Sequence, residues 1–403
     1  MKNLRELIKY GLRLSLILII GLNLFILITG KTYIYKAFES TYLKGYIQPT
    51  IYEIDEFNNR VVSKGDSQKW KEHPKLNNIK LSAKGLEFIE KFDPASFLIA
   101  WDDTLIFEQY WGKHNKSELG NSFSMSKSIV SLLIGSAIQD GYIASIDEPV
   151  GNYLKSFKTK NEITIRHLLT MSSGLSWQEN YISPFSDVAK LYYDTDAKDL
   201  TLNTRTIEEK PGQIFDYKSG DTQTLMYALK AATTKNVSDY ASEKIWSKIG
   251  AESDALWNLV GDDDSEEKSF CCLYATTRDY AKLGKLINQN GQWNNEQLID
   301  SNYVKEFKSL APLNKKDGKE NQCYGFQHWI YTGLPYQVSY FRGLRGQYII
   351  SIPKFKLVIV RTGSDSGPRW KNTTKQTSNA MLGHNTDLPT YIEIALAVLS
   401  QVK

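Results

Sequence analysis

Residues 126–139 restrict the fold of this chain more than any other stretch. Ile129, Val130, Leu132, Leu133, Ile134, Ala137 and Ile138 leave a helix with almost no polar face, so that helix belongs inside a packed domain. Gly141 ends it. Upstream, residues 97–101 and 105–111 form two apolar runs around Asp102-Asp103, the pattern of a β-hairpin. Strand-like runs return only near the end, at 338–341, 347–352 and 357–360, with turns at 343–346 and Pro353-Lys354 between them. The stretch between is mostly helical in pattern, and residues 388–402 close the chain as an amphipathic helix. Strands at both ends with helices between them predict an α+β fold, its antiparallel sheet assembled from distant parts of the chain.

With 41% hydrophobic and 23% charged residues among 403, the chain can bury a core and is not a disordered protein. Its net charge of +4, part of it from Lys2, Arg5, Lys9 and Arg13, is too small to indicate a nucleic-acid partner. The cysteines are Cys271, Cys272 and Cys323; an odd count with two adjacent members does not read as a disulfide framework, and no spacing reads as a zinc site. The histidines are scattered, and none lies in a metal-binding or nucleophile-elbow motif. His167, inside an apolar run, is expected to be structural.

Residues 14–28 are apolar apart from Ser15, Gly21 and Asn23, and tyrosines at 10 and 35 bracket the segment. With its flanks it reaches the roughly 20 residues that cross a bilayer. Residues 28–32 offer no clear small-x-small cleavage site, so an anchor that stays attached is expected rather than a removed signal. Basic residues before the span predict a cytoplasmic N-terminus, with the bulk of the chain outside the cytoplasm. The expected organisation is a tip and transmembrane anchor at 1–35, a linker and lead-in at 36–92, and one domain at 93–403. Within that domain, 93–145 and 331–403 form the sheet part and 146–330 the helical part.

Ser124-Met125-Ser126-Lys127 places a hydroxyl and an amine three residues apart, on one face of a helix. An apolar setting favours the neutral amine, the form that accepts a proton. The polar Asn121-Ser122 marks the helix start, where free N–H groups suit a developing oxyanion. The pattern alone is weak, since 265–268, 351–354 and 400–403 match it too. Only Ser124 opens an apolar helix that follows a hairpin. A second element is the Pro211-Gly212 turn followed by Tyr217 in a polar loop, where the phenol can act as acid or base beside a cation. A third is Phe341-Arg342-Gly343-Leu344-Arg345-Gly346, whose glycines allow a close backbone approach and whose Leu344 N–H can serve as an oxyanion donor. Arg361-Thr362-Gly363 is a rival third element, ranked lower because it follows the last strand.

Together and in this order the three elements resemble the β-lactamase-related serine hydrolases, which include class C β-lactamases, D-Ala-D-Ala carboxypeptidases, type VIII esterases and 6-aminohexanoate-dimer hydrolases. The resemblance covers roughly 95–400 and rests on residues 123–128, 163–175 and 217–223, and on Gly343 with Gly346-Gln347. It implies a β-lactamase/transpeptidase-like fold: an antiparallel sheet flanked by helices, with a mostly helical insertion. It implies Ser124 as nucleophile, Lys127 and Tyr217 as the acid–base pair, and no metal or organic cofactor. Arg342, Gly343, Leu344, Ser219 and Tyr181 become candidate oxyanion or substrate-binding residues. Two departures stand out: Phe341-Arg342-Gly343 replaces the usual Lys-Thr-Gly or His-x-Gly box, and Ser219 replaces the asparagine after the tyrosine.

The expected protein is therefore a single-pass enzyme of a bacterial inner membrane that cleaves a small-molecule or peptide-like amide or ester through an acyl-enzyme. The alternative is a catalytically weak sensor that binds peptidoglycan peptides or penicillins.

Overall fold

The computed structural model describes residues 2–76, 78–371 and 379–402. The elements that position the site are, in chain order, α1 (Lys2–Ile28), α2 (Tyr33–Ser40), β1 (Asn59–Val62), β2 (Lys71–Glu72), α3 (Ala83–Glu90), β3 (Pro94–Trp101), β4 (Thr104–Tyr110), β5 (Gly120–Asn121), α4 (Met125–Gln139), α5 (Asp187–Tyr193), α6 (Ser219–Thr233), β6 (Ala255–Asn258), β7 (Leu273–Ala275), α7 (Thr277–Asn288), β8 (Trp329–Tyr331), β9 (Val338–Gly343), β10 (Gln347–Ile352), β11 (Leu357–Gly363) and α8 (Leu388–Leu399).

Seven strands form the main sheet in the order β8-β9-β10-β11-β3-β4-β2, antiparallel except where β2 meets β4. Asp102 and Asp103 turn the β3–β4 hairpin in the left-handed region, with φ of 45° and 64°. The last strand, β11, pairs with β3, Ile359 opposite Ile99 and Val360 opposite Leu98. The period of two then sends Leu98, Phe341, Ile349, Val358 and Val360 to one face, packed with α4 and α7. Phe97, Ile99, Tyr340, Ile350 and Ile359 go to the other face, packed with α3 and α8. Both faces are covered, which is why these strands read as continuous apolar runs. The buried α4 follows as expected: residues 125–137 are all buried.

A second, four-stranded sheet, in the order β1-β6-β7-β5, differs from the single sheet expected. Its strands have two to four residues, too few to show a period. Two of them lie in the stretch read as helical, and β1 lies in the stretch read as a linker. Within α1, residues 4–28 are long and apolar enough to cross a membrane. Most side chains there are exposed, but Ile26 is buried, and α2 packs on α5.

Helix α7 lies close on the sheet because it carries Gly284. A Cβ there would meet Val358 Cγ1 at 2.5 Å and Ile349 Cγ2 at 3.0 Å. Gly284→Ala should push the helix off the sheet and destabilise the domain by roughly 1–3 kcal/mol. A thermal melt showing an unchanged Tm would contradict that packing.

Candidate active site

Ser124 is the N-cap of α4, yet its side chain makes no capping bond, although serine at this position ordinarily accepts from the first-turn N–H groups. Its hydroxyl instead receives Lys127 Nζ at 3.1 Å. The same amine donates to the Phe270 carbonyl at 2.7 Å, and Lys127 is only 1% exposed. Phe123, just before the serine, holds φ at 43°, a conformation costing on the order of 1–2 kcal/mol for a residue with a side chain. The surroundings fix it in place. Phe123 N donates to Asn121 Oδ1 at 2.8 Å, Ser122 N donates to the Leu273 carbonyl at 2.8 Å, and the Ser122 and Ser126 hydroxyls meet at 2.7 Å.

Tyr217 enters from the loop before α6. Its ring lies tilted on Trp329 and edge-on to Tyr324, each at 5.7 Å between centroids, and Lys127 Nζ lies 5.2 Å from its ring centre. Among the described residues no hydrogen bond joins its hydroxyl to Ser124 or Lys127. Ser124 and Lys127 are thus joined directly, and Tyr217 reaches the amine by its ring. Ser124, Tyr181, Tyr217, Arg342, Gly343 and Leu344 line one cavity.

Strand β9 reaches the nucleophile turn because it ends in Gly343. A Cβ there would sit 2.2 Å from the Ser122 carbonyl oxygen, so any other residue would force the strands apart. The rival Arg361-Thr362-Gly363 is scaffold. Arg361 is fully buried and donates at 2.9 Å to the carbonyls of Arg345 and Gly346, and also to that of Phe92.

Arg342 stacks on Trp329, its Cζ 3.3 Å from the ring centre, and donates through Nη1 to the Gly383 carbonyl at 2.8 Å. Its buried Nη2 has no partner among the described residues. Arg369 lines the same cavity, and Arg342 beside it pushes its pKa below the usual arginine value. Among the described residues neither guanidinium has a carboxylate within ion-pair distance. Two guanidinium groups with no carboxylate partner among the described residues, side by side near Ser124, could receive an anionic group.

Ser219 and Tyr181 meet at a residue the sequence reading passed over. Glu179 accepts from Ser219 N at 2.8 Å, Ser219 Oγ at 2.6 Å and Trp177 Nε1 at 2.6 Å, and from the Tyr181 hydroxyl. This carboxylate fastens the Tyr181 loop to the start of α6. Its partner Ser219 lies 40 residues away, so no local pattern marks it. His167 is structural as expected: it caps the short helix Ile165–Leu169 with Thr164.

The cysteines form no framework, but two of them are paired. Cys271 and Cys272 are bonded to each other. A bond between neighbours closes no loop for a framework, yet it sits in the turn that presents the Phe270 carbonyl to Lys127, with Cys272 at φ 71°. Among the described residues no group of three or more His, Cys, Asp or Glu is placed to hold a metal ion.

Residues 89–377 match the beta-lactamase family, and the chain belongs to it. It is 24% identical over 316 residues to an uncharacterised protein of Alkalihalophilus pseudofirmus, covering 72% of this chain and 90% of that one. It is 21% identical over 290 residues to the 6-aminohexanoate-dimer hydrolase of Paenarthrobacter ureafaciens, covering 68% and 73%. Its fold matches that of a Bacillus anthracis protein assigned as a 6-aminohexanoate-dimer hydrolase, with a TM-score of 0.71 at 22% identity over 86% of this chain and 93% of the other. The architecture is thus the β-lactamase/transpeptidase-like fold, and the chain a member of that serine hydrolase superfamily.

Beside the site, Asp221 is 1% exposed and accepts from Ser173 Oγ at 2.7 Å, while its Oδ2 has no partner among the described residues. Burial raises its pKa from 3.8 to about 7, against the opposing pull of Lys218 and Ser173. A raised carboxyl pKa means the folded state holds a proton that the unfolded chain has released. The stability this contributes is full below the unfolded value and is lost as pH rises through about 7. Asp221→Asn should therefore flatten the fall in stability with rising pH across that window. Equal slopes for the two proteins in denaturant titrations would refute the assignment.

Proposed function

We propose that the protein is a membrane-anchored serine hydrolase that cleaves an amide or ester through an acyl-enzyme on Ser124. The observation carrying this reading is the uncapped Ser124 hydroxyl, bonded instead to the buried amine of Lys127. Lys127 accepts the serine proton as Oγ adds to the substrate carbonyl carbon, and the C=O π electrons move to oxygen. The N–H groups of Ser124 and Leu344 stabilise that oxyanion at the start of α4. Collapse expels the amine or alcohol, which takes the proton from Lys127 or Tyr217, and water then cleaves the Ser124 ester to a carboxylic acid. Tyr217, held on Trp329 and Tyr324, has its hydroxyl turn to the leaving group once substrate fills the cavity, since catalytic hydrogen bonds often tighten only in the complex. Arg342 and Arg369 receive an anionic group of the substrate. Lys2, Arg5, Lys9 and Arg13 in the first half of α1 favour a cytoplasmic tip, with the catalytic domain on the outer side of the membrane.

A fluorophosphonate should add one adduct mass to the wild-type chain and none to Ser124→Ala. Ser124→Ala and Lys127→Ala should each lower ester hydrolysis by about a thousandfold or more, with little further loss in the double variant. Full activity in Ser124→Ala, or no adduct on the wild type, sinks this reading; the second result is what a silent binding protein would give. Arg342→Gln should raise KM roughly tenfold for an ester carrying a carboxylate and leave a neutral ester unaffected.

A further inference from the structure

Ser124 faces two cavities. Besides the polar one that holds Arg342 and Tyr217, a second opens from the same serine. Its lining is almost wholly apolar and includes Phe123, Val188, Tyr192, Phe270, Cys271 and Leu344.

One wall of this cavity comes from the chain that follows the membrane-length helix: Ala37 of α2, then Tyr42, Ile47 and Pro49. That segment is fastened to the catalytic machinery. Arg345 donates to the carbonyls of Pro49 at 2.6 Å and Gln48 at 3.1 Å, and Ile51 packs with Phe123 and Leu344. Two of the lining side chains, Ile47 and Ile182, are 72% and 75% exposed, and Leu43, next to the lining Tyr42, is 70% exposed. Phe185, close by in sequence to Ile182, meets Phe25 of α1 edge-on at 6.1 Å between ring centroids. With α1 crossing the membrane as proposed above, a contact to its last turns sets this collar at the bilayer surface, where an exposed apolar patch meets lipid.

We infer that the substrate is a membrane amphiphile, an acyl ester or amide whose hydrocarbon chain passes from the bilayer into the apolar cavity. Its carbonyl then lies over Ser124, and its head group lies on the polar side beside Arg342 and Arg369. This inference rests on the hydrolase reading given above. The driving term is burial of methylenes, each worth about 0.8 kcal/mol, or roughly fourfold in binding.

The test uses the full chain in phosphatidylcholine nanodiscs with p-nitrophenyl esters from acetate to decanoate. The value of kcat/KM should rise with chain length, by roughly fourfold for each of the first few methylenes. Ala189→Phe, which fills the cavity from α5, should cut decanoate hydrolysis by about tenfold or more while leaving acetate hydrolysis within about twofold. Measurable acetate hydrolysis with a flat or falling series overturns the lipid inference and leaves the hydrolase reading standing. No hydrolysis of any ester sinks the hydrolase reading instead, and the cavity is then judged by a diazirine-bearing fatty acid in the same nanodiscs. Cross-links at residues 188–193 and 270–271 support an acyl-chain site; cross-links confined to 4–28 overturn it.

Discussion

A lysine amine enclosed in an apolar helix must have its polar atoms answered, because nothing in such a core replaces water. In this protein two groups answer it, the Ser124 hydroxyl and the Phe270 carbonyl, and the geometry of the site follows from that pairing. Helix α4 is buried on all sides, so Lys127 has little freedom to turn elsewhere. The serine at its N-terminus gives up the capping role it would ordinarily fill. Its oxygen is thereby left bonded to a side chain rather than to the backbone, which is the condition for a nucleophile beside a base.

The remaining parts act by bringing backbones close to that pair. Gly343 lets β9 approach the Ser122 carbonyl to a distance no side chain permits, which sets Leu344 beside Ser124. Phe123 is in the left-handed region, its N–H donating to Asn121 Oδ1 while the neighbouring Ser122 N–H donates to Leu273 of β7, so the second sheet, small as it is, braces the turn before Ser124. Glu179 ties the Tyr181 loop to Ser219, and the aromatic stack of Tyr217, Trp329 and Arg342 forms the opposite wall. The two sides differ in chemistry: unpaired guanidinium groups on one, aromatic and aliphatic carbon on the other.

The segment after the long N-terminal helix is part of this arrangement and not a passive tether. It contributes β1 to the second sheet, accepts hydrogen bonds from Arg345 in the turn after β9, and walls the apolar cavity. One piece of chain thereby joins the long apolar helix to the cavity beside Ser124.

Local pattern made much of the architecture legible. The all-apolar run at 126–139, the Asp-Asp hairpin and the three C-terminal strands follow from periodicity and turn chemistry, and three-residue spacing on a helix is enough to pair Ser124 with Lys127. What the sequence could not decide by itself is what lies opposite what. Strands of two to four residues are too short to show a period, so the second sheet was not visible. Glu179 meets Ser219, Arg369 meets Arg342, and Phe270 meets Lys127 across separations that only the folded chain closes. Adjacent cysteines give no sign of bonding to one another until the backbone turn at Cys272 is known. Sequence determined the elements and the reactive pair, because those depend on neighbours a few residues apart. Tertiary structure decided the walls of the site, because hydrogen bonds and burial depend on distance in space.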